Sequence, residues 1–263
     1  MKKNVYSSIG AVLLVVVLVA IIGFTQKYQD NVIGEAGKFS GYQTQKLPLG
    51  KPYPTTFLPT CKVNTYFGDC VITFEDKRLE TDIKQQFKLP QNTAITLNKV
   101  KSSLKKKPFL ELSSLYQLSY QSFSGLEFFS DLSLLKIVSS YNLPDLTPLE
   151  GLTNLEVLTL YGGLVDEQGI TNIQSLSGLS KLSTLDLTYG DLEDIKPLET
   201  LTNLKSLQLG YNKITDVAPL AKLSNLKYLE VMGNPLPKSC PSATLPIEGA
   251  EKVKAFIQQC IGK

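Results

Sequence analysis

Leucine returns through the second half of the chain in a fixed spacing. The pattern L-x-x-L-x-x-L-x-L occurs at Leu152, Leu155, Leu158 and Leu160, at Leu179, Leu182, Leu185 and Leu187, and at Leu201, Leu204, Leu207 and Leu209. A fourth copy ends on valine, at Leu223, Leu226, Leu229 and Val231. A weaker one stands before them at Phe129, Leu132, Leu135 and Ile137, and a faint one at Leu112, Leu115, Leu118 and Tyr120. Leu207 follows Leu185, and Leu229 follows Leu207, by 22 residues (207 − 185 and 229 − 207). From Leu158 to Leu185 the step is 27, and its five additional residues fall in GGLVDEQGI, which should bulge as a loop. The L-x-L alternation has the period of a strand, so each copy predicts one strand with its leucines inward and the residues between them outward. A unit this short cannot bury its own apolar side. Stacked copies can, and parallel strands follow.

The flanks have other periods. CKVNTYFGDCVITF places apolar and aromatic residues on either side of a Gly-Asp turn and predicts a hairpin. In LETDIKQQFKLP, Leu79, Ile83 and Phe87 share a helical face that Pro90 ends. KVKSSLKKK carries Lys99, Lys101, Lys105, Lys106 and Lys107 and reads as a solvated loop, or else as a patch for anionic lipid or an acidic partner. After the repeats, Val253, Phe256, Ile257 and Cys260 share one helical face able to cover the last leucines. At the start, two lysines precede an uncharged stretch from Asn4 to Gln26, apolar from Ile9 to Phe24. About twenty helical residues at ~1.5 Å each span the ~30 Å hydrocarbon layer. The flanking lysines place the amino terminus on the cytoplasmic side and the rest of the chain beyond the membrane. A cleaved signal peptide shares this pattern, but a small-x-small ending is poorly met at Ala20 and Gly23.

The expected organisation is a signal anchor or transmembrane helix over 1–25, a linker over 26–60, and an N-terminal cap with hairpin and helix over 61–108. The repeats fill 109–236, and a C-terminal cap fills 237–263. The linker holds four prolines and four glycines, and as a coil would have an end-to-end distance of roughly 33 Å.

Charge also divides along the chain. Residues 1–125 carry 16 Lys/Arg against 8 Asp/Glu, residues 126–236 carry 7 against 14, and the remainder 4 against 2. Acidic repeats argue against nucleic acid, which needs clustered Lys/Arg, and favour a partner with a basic surface. The chain has no histidine, which removes the commonest general base and metal ligand. No G-x-S-x-G elbow accompanies its serines. No enzyme activity, cofactor or metal is expected. The four cysteines fall as Cys61 with Cys70 and Cys240 with Cys260, spacings that suit local disulfides in an oxidising compartment better than a metal knuckle, although four cysteines allow three pairings.

A second phrase recurs beside the leucines: DLTPL from Asp145, DIKPL from Asp194 and DVAPL from Asp216, the last within YNKITDVAPL. Over about Phe109–Pro235 the chain resembles the leucine-rich repeat family, and these phrases are similar to the 22-residue repeat of internalin-type bacterial proteins. The resemblance implies an α/β solenoid: a curved leucine-rich repeat with its parallel sheet on the concave face, both ends capped, here behind one N-terminal transmembrane helix. It implies a side-chain asparagine ladder, met at Asn212 and Asn234 but broken by Gly190, Gly163 and Ser140. It implies protein recognition on the concave face. The central outward column there runs through Lys136, Thr159, Asp186, Gln208 and Glu230, flanked by Tyr161, Thr188, Tyr228 and Met232. Tyr189 and Tyr211 take the same place in successive repeats, roughly 5 Å apart at sheet spacing, and could clasp a peptide or a glycan. The expected protein is a bacterial one, single-pass in the inner membrane, with its C-terminal domain periplasmic or extracellular. The alternative is a secreted or surface adhesion factor released by signal cleavage.

Overall fold

The structure is a computed structural model. It describes residues 62–64, 69–114, 120–139, 143–161 and 169–262, without the side chains of 62–64 and 114. All of them belong to one compact unit, Thr56–Lys263. The expected anchor, the linker, Cys61, Gly163 and Ser140 lie outside the described residues. Among those described, no helix is long and apolar enough to cross a membrane.

The unit begins with an antiparallel pair, β1 (Lys62–Asn64) and β2 (Asp69–Val71). Cys70 on β2 is disulfide-bonded. Helix α1 (Lys77–Gln86) starts where the Asp76 carboxylate accepts the Arg78 and Leu79 N–H groups, the orphan donors of a first turn. The other Asp76 oxygen accepts Gln121 N–H at 2.6 Å, which ties this cap to the chain 45 residues on. The lysine-rich segment is not a loop: it forms α2 (Leu97–Lys106), capped by Thr96. Val100 and Leu104, four residues apart, are buried, while Lys101, Lys105 and Lys106 are exposed together with Asn98 and Ser102, an amphipathic helix whose charged side chains are all lysines. The cap core is aromatic. Phe74, Phe87 and Phe129 meet with ring centroids 6.3 and 6.0 Å apart, and Gly125, at φ +106°, leaves the space that the Phe74 ring fills.

Six parallel strands follow in chain order: β3 (Phe109–Ser114), β4 (Leu134–Ser139), β5 (Val157–Tyr161), β6 (Thr184–Asp186), β7 (Ser206–Gln208) and β8 (Tyr228–Glu230). Their register aligns Leu110, Leu135, Leu158, Leu185, Leu207 and Leu229, so the leucine pattern and the sheet register coincide. The faint first copy falls elsewhere: Leu110 and Leu112 form the inward pair, eight residues before the pair Leu118 and Tyr120 that the spacing implied (118 − 110). Backbone bonds carry the ladder past the short strands, Leu187 N–H to Gln208 O and Tyr189 N–H to Gly210 O, then Leu209 N–H to Glu230 O and Tyr211 N–H to Met232 O.

Opposite the strands run five 3-10 turns, Leu126–Phe128, Thr147–Leu149, Gln174–Leu176, Lys196–Thr200 and Ala218–Lys222. The recurring D-x-x-P-L phrase starts three of them, at Thr147, Lys196 and Ala218. Asp145, Asp194 and Asp216 each accept the N–H two residues on, and Asn172 does so for Gln174, bending the chain into a turn where proline costs no hydrogen bond. The repeated leucines of both sides are buried in one core, each contributing about 1.5–3 kcal/mol by burial. Strand side and turn side together fit a curved leucine-rich solenoid. At the far end, β9 (Ile247–Glu248) pairs antiparallel with β8 and closes the sheet edge, and α3 (Ala250–Cys260) buries Val253, Phe256, Ile257 and Cys260. A Cys240–Cys260 disulfide ties this cap together.

Candidate functional site

Between the inward leucines, the strand register builds the outward column Glu111, Lys136, Thr159, Asp186, Gln208, Glu230. Glu111 was not foreseen, because its strand was placed too late in the sequence; a leucine pair at 110 and 112 was the available signal. Lys136, Thr159, Gln208 and Glu230 are half-buried, as are Tyr161, Tyr189, Tyr211, Tyr228 and Met232 beside them.

Asp186 and Thr188 do not stand open as the alternation implied. They are only 5% and 7% exposed. Thr188 donates to one Asp186 oxygen from both its backbone N–H (3.1 Å) and its hydroxyl (2.7 Å), and the Tyr161 hydroxyl donates to the other. The reason is local: β6 ends at Asp186, and the side chain turns back to cap the next residues. Asp186 is therefore a fully bonded carboxylate beneath the face, and what it lends the face is charge. Burial and then the Asp186 charge push the Tyr161 hydroxyl well above the ordinary tyrosine range.

Glu230 is different. It accepts no hydrogen bond and joins no ion pair among the described residues, and its carboxylate lies across Gly210, where a Cβ would collide with it. Burial first, and then the nearby Asp186 charge, raise its pKa above the ordinary glutamate value. The same carboxylate raises the hydroxyls around it: Tyr189, after burial and Tyr211, and Tyr228, after burial and together with Glu248 and Asp186. The centre of this face is thus one unpartnered carboxylate, a second bonded one, and tyrosine rings.

Tyr189 and Tyr211 stack with centroids 4.7 Å apart and planes 3° apart, matching the spacing expected of successive strands. Both hold the left-handed conformation, φ +60° and +55°, uncommon for a bulky residue. In the next repeat the place belongs to Gly233, φ +76°, over which the Tyr211 ring lies. The backbone turn thus repeats three times, and two tyrosines accept its cost to form the stack.

Behind them, Asn212 accepts Leu192 N–H (3.1 Å) and donates to the carbonyls of Leu187, Leu209 and Gly210. Asn234 accepts Ile214 N–H (3.0 Å) and donates to Leu209 and Val231. The ladder is present where the sequence keeps asparagine. At Gly190 a Cβ would lie 2.5 Å from the Asn212 Oδ1, so the glycine admits its neighbour's amide. A second series went unread in the sequence: Asn154, Asn203 and Asn225, each just before a repeat leucine, donate across to Ser130, Ser180 and Thr202 carbonyls of the preceding repeat. The recurring Asn-Leu dipeptide was its signal.

The acidic edge is largely occupied by structure. Asp191 accepts Gly169 N–H and pairs with Lys213 at 2.8 Å, and that ammonium holds its carboxyl below the ordinary range. Glu199 pairs with Lys222, and Asp194 caps the Lys196 turn. Among the described residues no group of three or more His, Cys, Asp or Glu is arranged to hold a metal ion.

The sequence profile described as Leucine Rich repeats (2 copies) matches residues 202–243. No curated protein matches the chain. Among solved structures, internalin C2 of Listeria monocytogenes is 24% identical, with a TM-score of 0.36 over 65% of this chain and 90% of that one. Internalin F of the same organism is 21% identical, with a TM-score of 0.28 over 63% and 71%. Scores this low carry no argument about function. The likeness to leucine-rich repeats rests on the profile match over residues 202–243 and on the strand register above.

Proposed function

We propose that this chain is a membrane-anchored, export-side recognition protein without enzymatic activity, whose strand face holds a basic group of a protein partner. The observation that carries the proposal is Glu230, a half-buried carboxylate on an open sheet face with no described donor, beside a second carboxylate. A partly desolvated charge left unpaired favours any cation that can reach it, and truncating such a pair raises the off-rate. The rings of Tyr189 and Tyr228 add cation–π attraction for a guanidinium or ammonium. Six strands at ~4.8 Å, each showing about five residues, offer roughly 480 Å². A stable interface takes about 800 Å² per partner, so tight binding also needs a cap or the loop between Tyr161 and Gly169.

The two leading lysines, the apolar run Ile9–Phe24 and a Cys240–Cys260 disulfide, which persists in oxidising compartments, support placement in a bacterial inner membrane with the repeats outside the cytoplasm. Release as a surface or secreted adhesion factor is the second reading, because the same apolar run is compatible with a signal peptide. Crosslinking in the native host, comparing the wild-type chain with Glu230→Gln, tests the face. One protein captured by the wild type and lost from the variant supports it; equal capture by both overturns it. Amino-terminal mass on the same sample separates anchor from cleaved signal.

A further inference from the structure

The outward side of α2 is a cationic surface that the recognition face does not use. Lys101, Lys105 and Lys106 are exposed and make no hydrogen bond or ion pair with the described residues. Lys107, also exposed, lies over the Phe109 ring, 4.0 Å from its centroid. The helix has no acidic residue in its first turn, and the ion pairs of the neighbouring α1, Lys77–Glu80, Arg78–Asp82 and Lys84–Glu80, leave these ammonium groups uncompensated. The buried pair Val100 and Leu104 fixes which side faces out, and Lys101 to Lys106 form a strip spanning about 8 Å along the axis by helix rise.

We propose that this strip docks on anionic lipid headgroups of the membrane that the N-terminal apolar run enters, holding the N-terminal cap against the bilayer; it rests on the anchored reading above. Three observations select lipid as the occupant. The strip's charged groups are all lysines, which suits diffuse headgroup charge better than the bidentate geometry a protein carboxylate rewards in arginine. It lies in the cap nearest in sequence to the apolar run, Phe24 and Lys62 being 38 positions apart. The linker expected from the sequence over 26–60, at the roughly 33 Å of a flexible coil, would keep the strip at an effective concentration in the millimolar range. Each lysine near an anionic surface multiplies the docked population about fivefold, so three act together by about a hundredfold. Weak headgroup attraction is then sufficient.

The test uses the full chain reconstituted in phosphatidylcholine vesicles with and without phosphatidylglycerol. Amine labelling of Lys101, Lys105 and Lys106 is read by mass spectrometry against Lys252 and Lys254 of the opposite cap. Labelling of the three should fall several-fold in the anionic vesicles alone, recover at high salt, and leave Lys252 and Lys254 unchanged. Equal labelling in both vesicles overturns the proposal. A fall that appears in neutral vesicles and grows with protein concentration also overturns it, in favour of docking on the acidic repeats of a second copy. Flotation with neutral vesicles reports the anchor separately. A chain that floats with unchanged labelling keeps its anchor and loses the docking strip; one that floats only with anionic vesicles, and fails to after Lys101→Gln, Lys105→Gln and Lys106→Gln, keeps the strip and loses the anchor.

Discussion

Replacing Asn212 by alanine tests whether the repeats are held by side-chain amides as well as by leucine. Asn212 is 5% exposed and makes four hydrogen bonds, but its partners do not depend on it equally. Gly210 O keeps Tyr189 N–H, and Leu209 O keeps the Asn234 amide. Leu192 N–H and Leu187 O have no other described partner. Two orphaned buried groups at about 1–3 kcal/mol each give a loss of about 3–4 kcal/mol. For a domain of this size that lowers the Tm by roughly 8–15 °C. Asn234→Ala removes the equivalent side chain from the last repeat, where the residue is half-buried and water can replace the amide, so about 1 kcal/mol is expected. Urea unfolding of both variants, followed by circular dichroism with native-state hydrogen exchange at Leu192, measures the difference. Losses equal within about 0.5 kcal/mol would refute this bond-by-bond accounting, because burial would then not decide the cost.

Gly190→Asn restores the asparagine of its neighbours, yet it should destabilise, because its Cβ would lie 2.5 Å from an Asn212 oxygen already committed to Leu192 N–H; thermal unfolding checks the sign. Glu230 titrates above the ordinary value of 4.5, so the folded chain holds its proton more tightly than the unfolded chain does. That contribution to stability is complete below 4.5 and is lost as pH rises through the raised folded value, so Glu230→Gln should raise the Tm at neutral pH and change it little in acid. Binding of a basic partner has the opposite sign: it should weaken on acidification through the same raised pKa, and the weakening should vanish in Glu230→Gln. Replacing both Cys240 and Cys260 by serine opens a link between residues 20 apart, worth about 3 kcal/mol by chain entropy. Because each repeat contacts only its neighbours, hydrogen exchange should quicken in β9 and α3 while β5 and β6 stay protected.

Leucine spacing determined the parallel sheet, its inward residues and the facing tyrosine pair, since a period repeated every 22 residues can bury its apolar side only by stacking in register, and a separate helical period at Val253, Phe256, Ile257 and Cys260 determined the capping helix. The same spacing misplaced the first strand, because ahead of Leu110 and Leu112 the pattern keeps its first leucine at Leu104 but has Lys107 in place of the second. It also left α2 as a loop, because five lysines mask the two residues, Val100 and Leu104, that give the helix its buried side. Tertiary structure alone decided which outward residues are open. Alternation placed Asp186 and Glu230 alike, and each ends a three-residue strand, yet Tyr161 and Thr188 donate to Asp186, whereas Gly210 and Met232 hold the matching places around Glu230 and no described donor reaches it. Periodicity reports the direction in which a side chain leaves the backbone; its hydrogen-bond partners, and so its remaining charge, depend on neighbours 2 to 25 residues away.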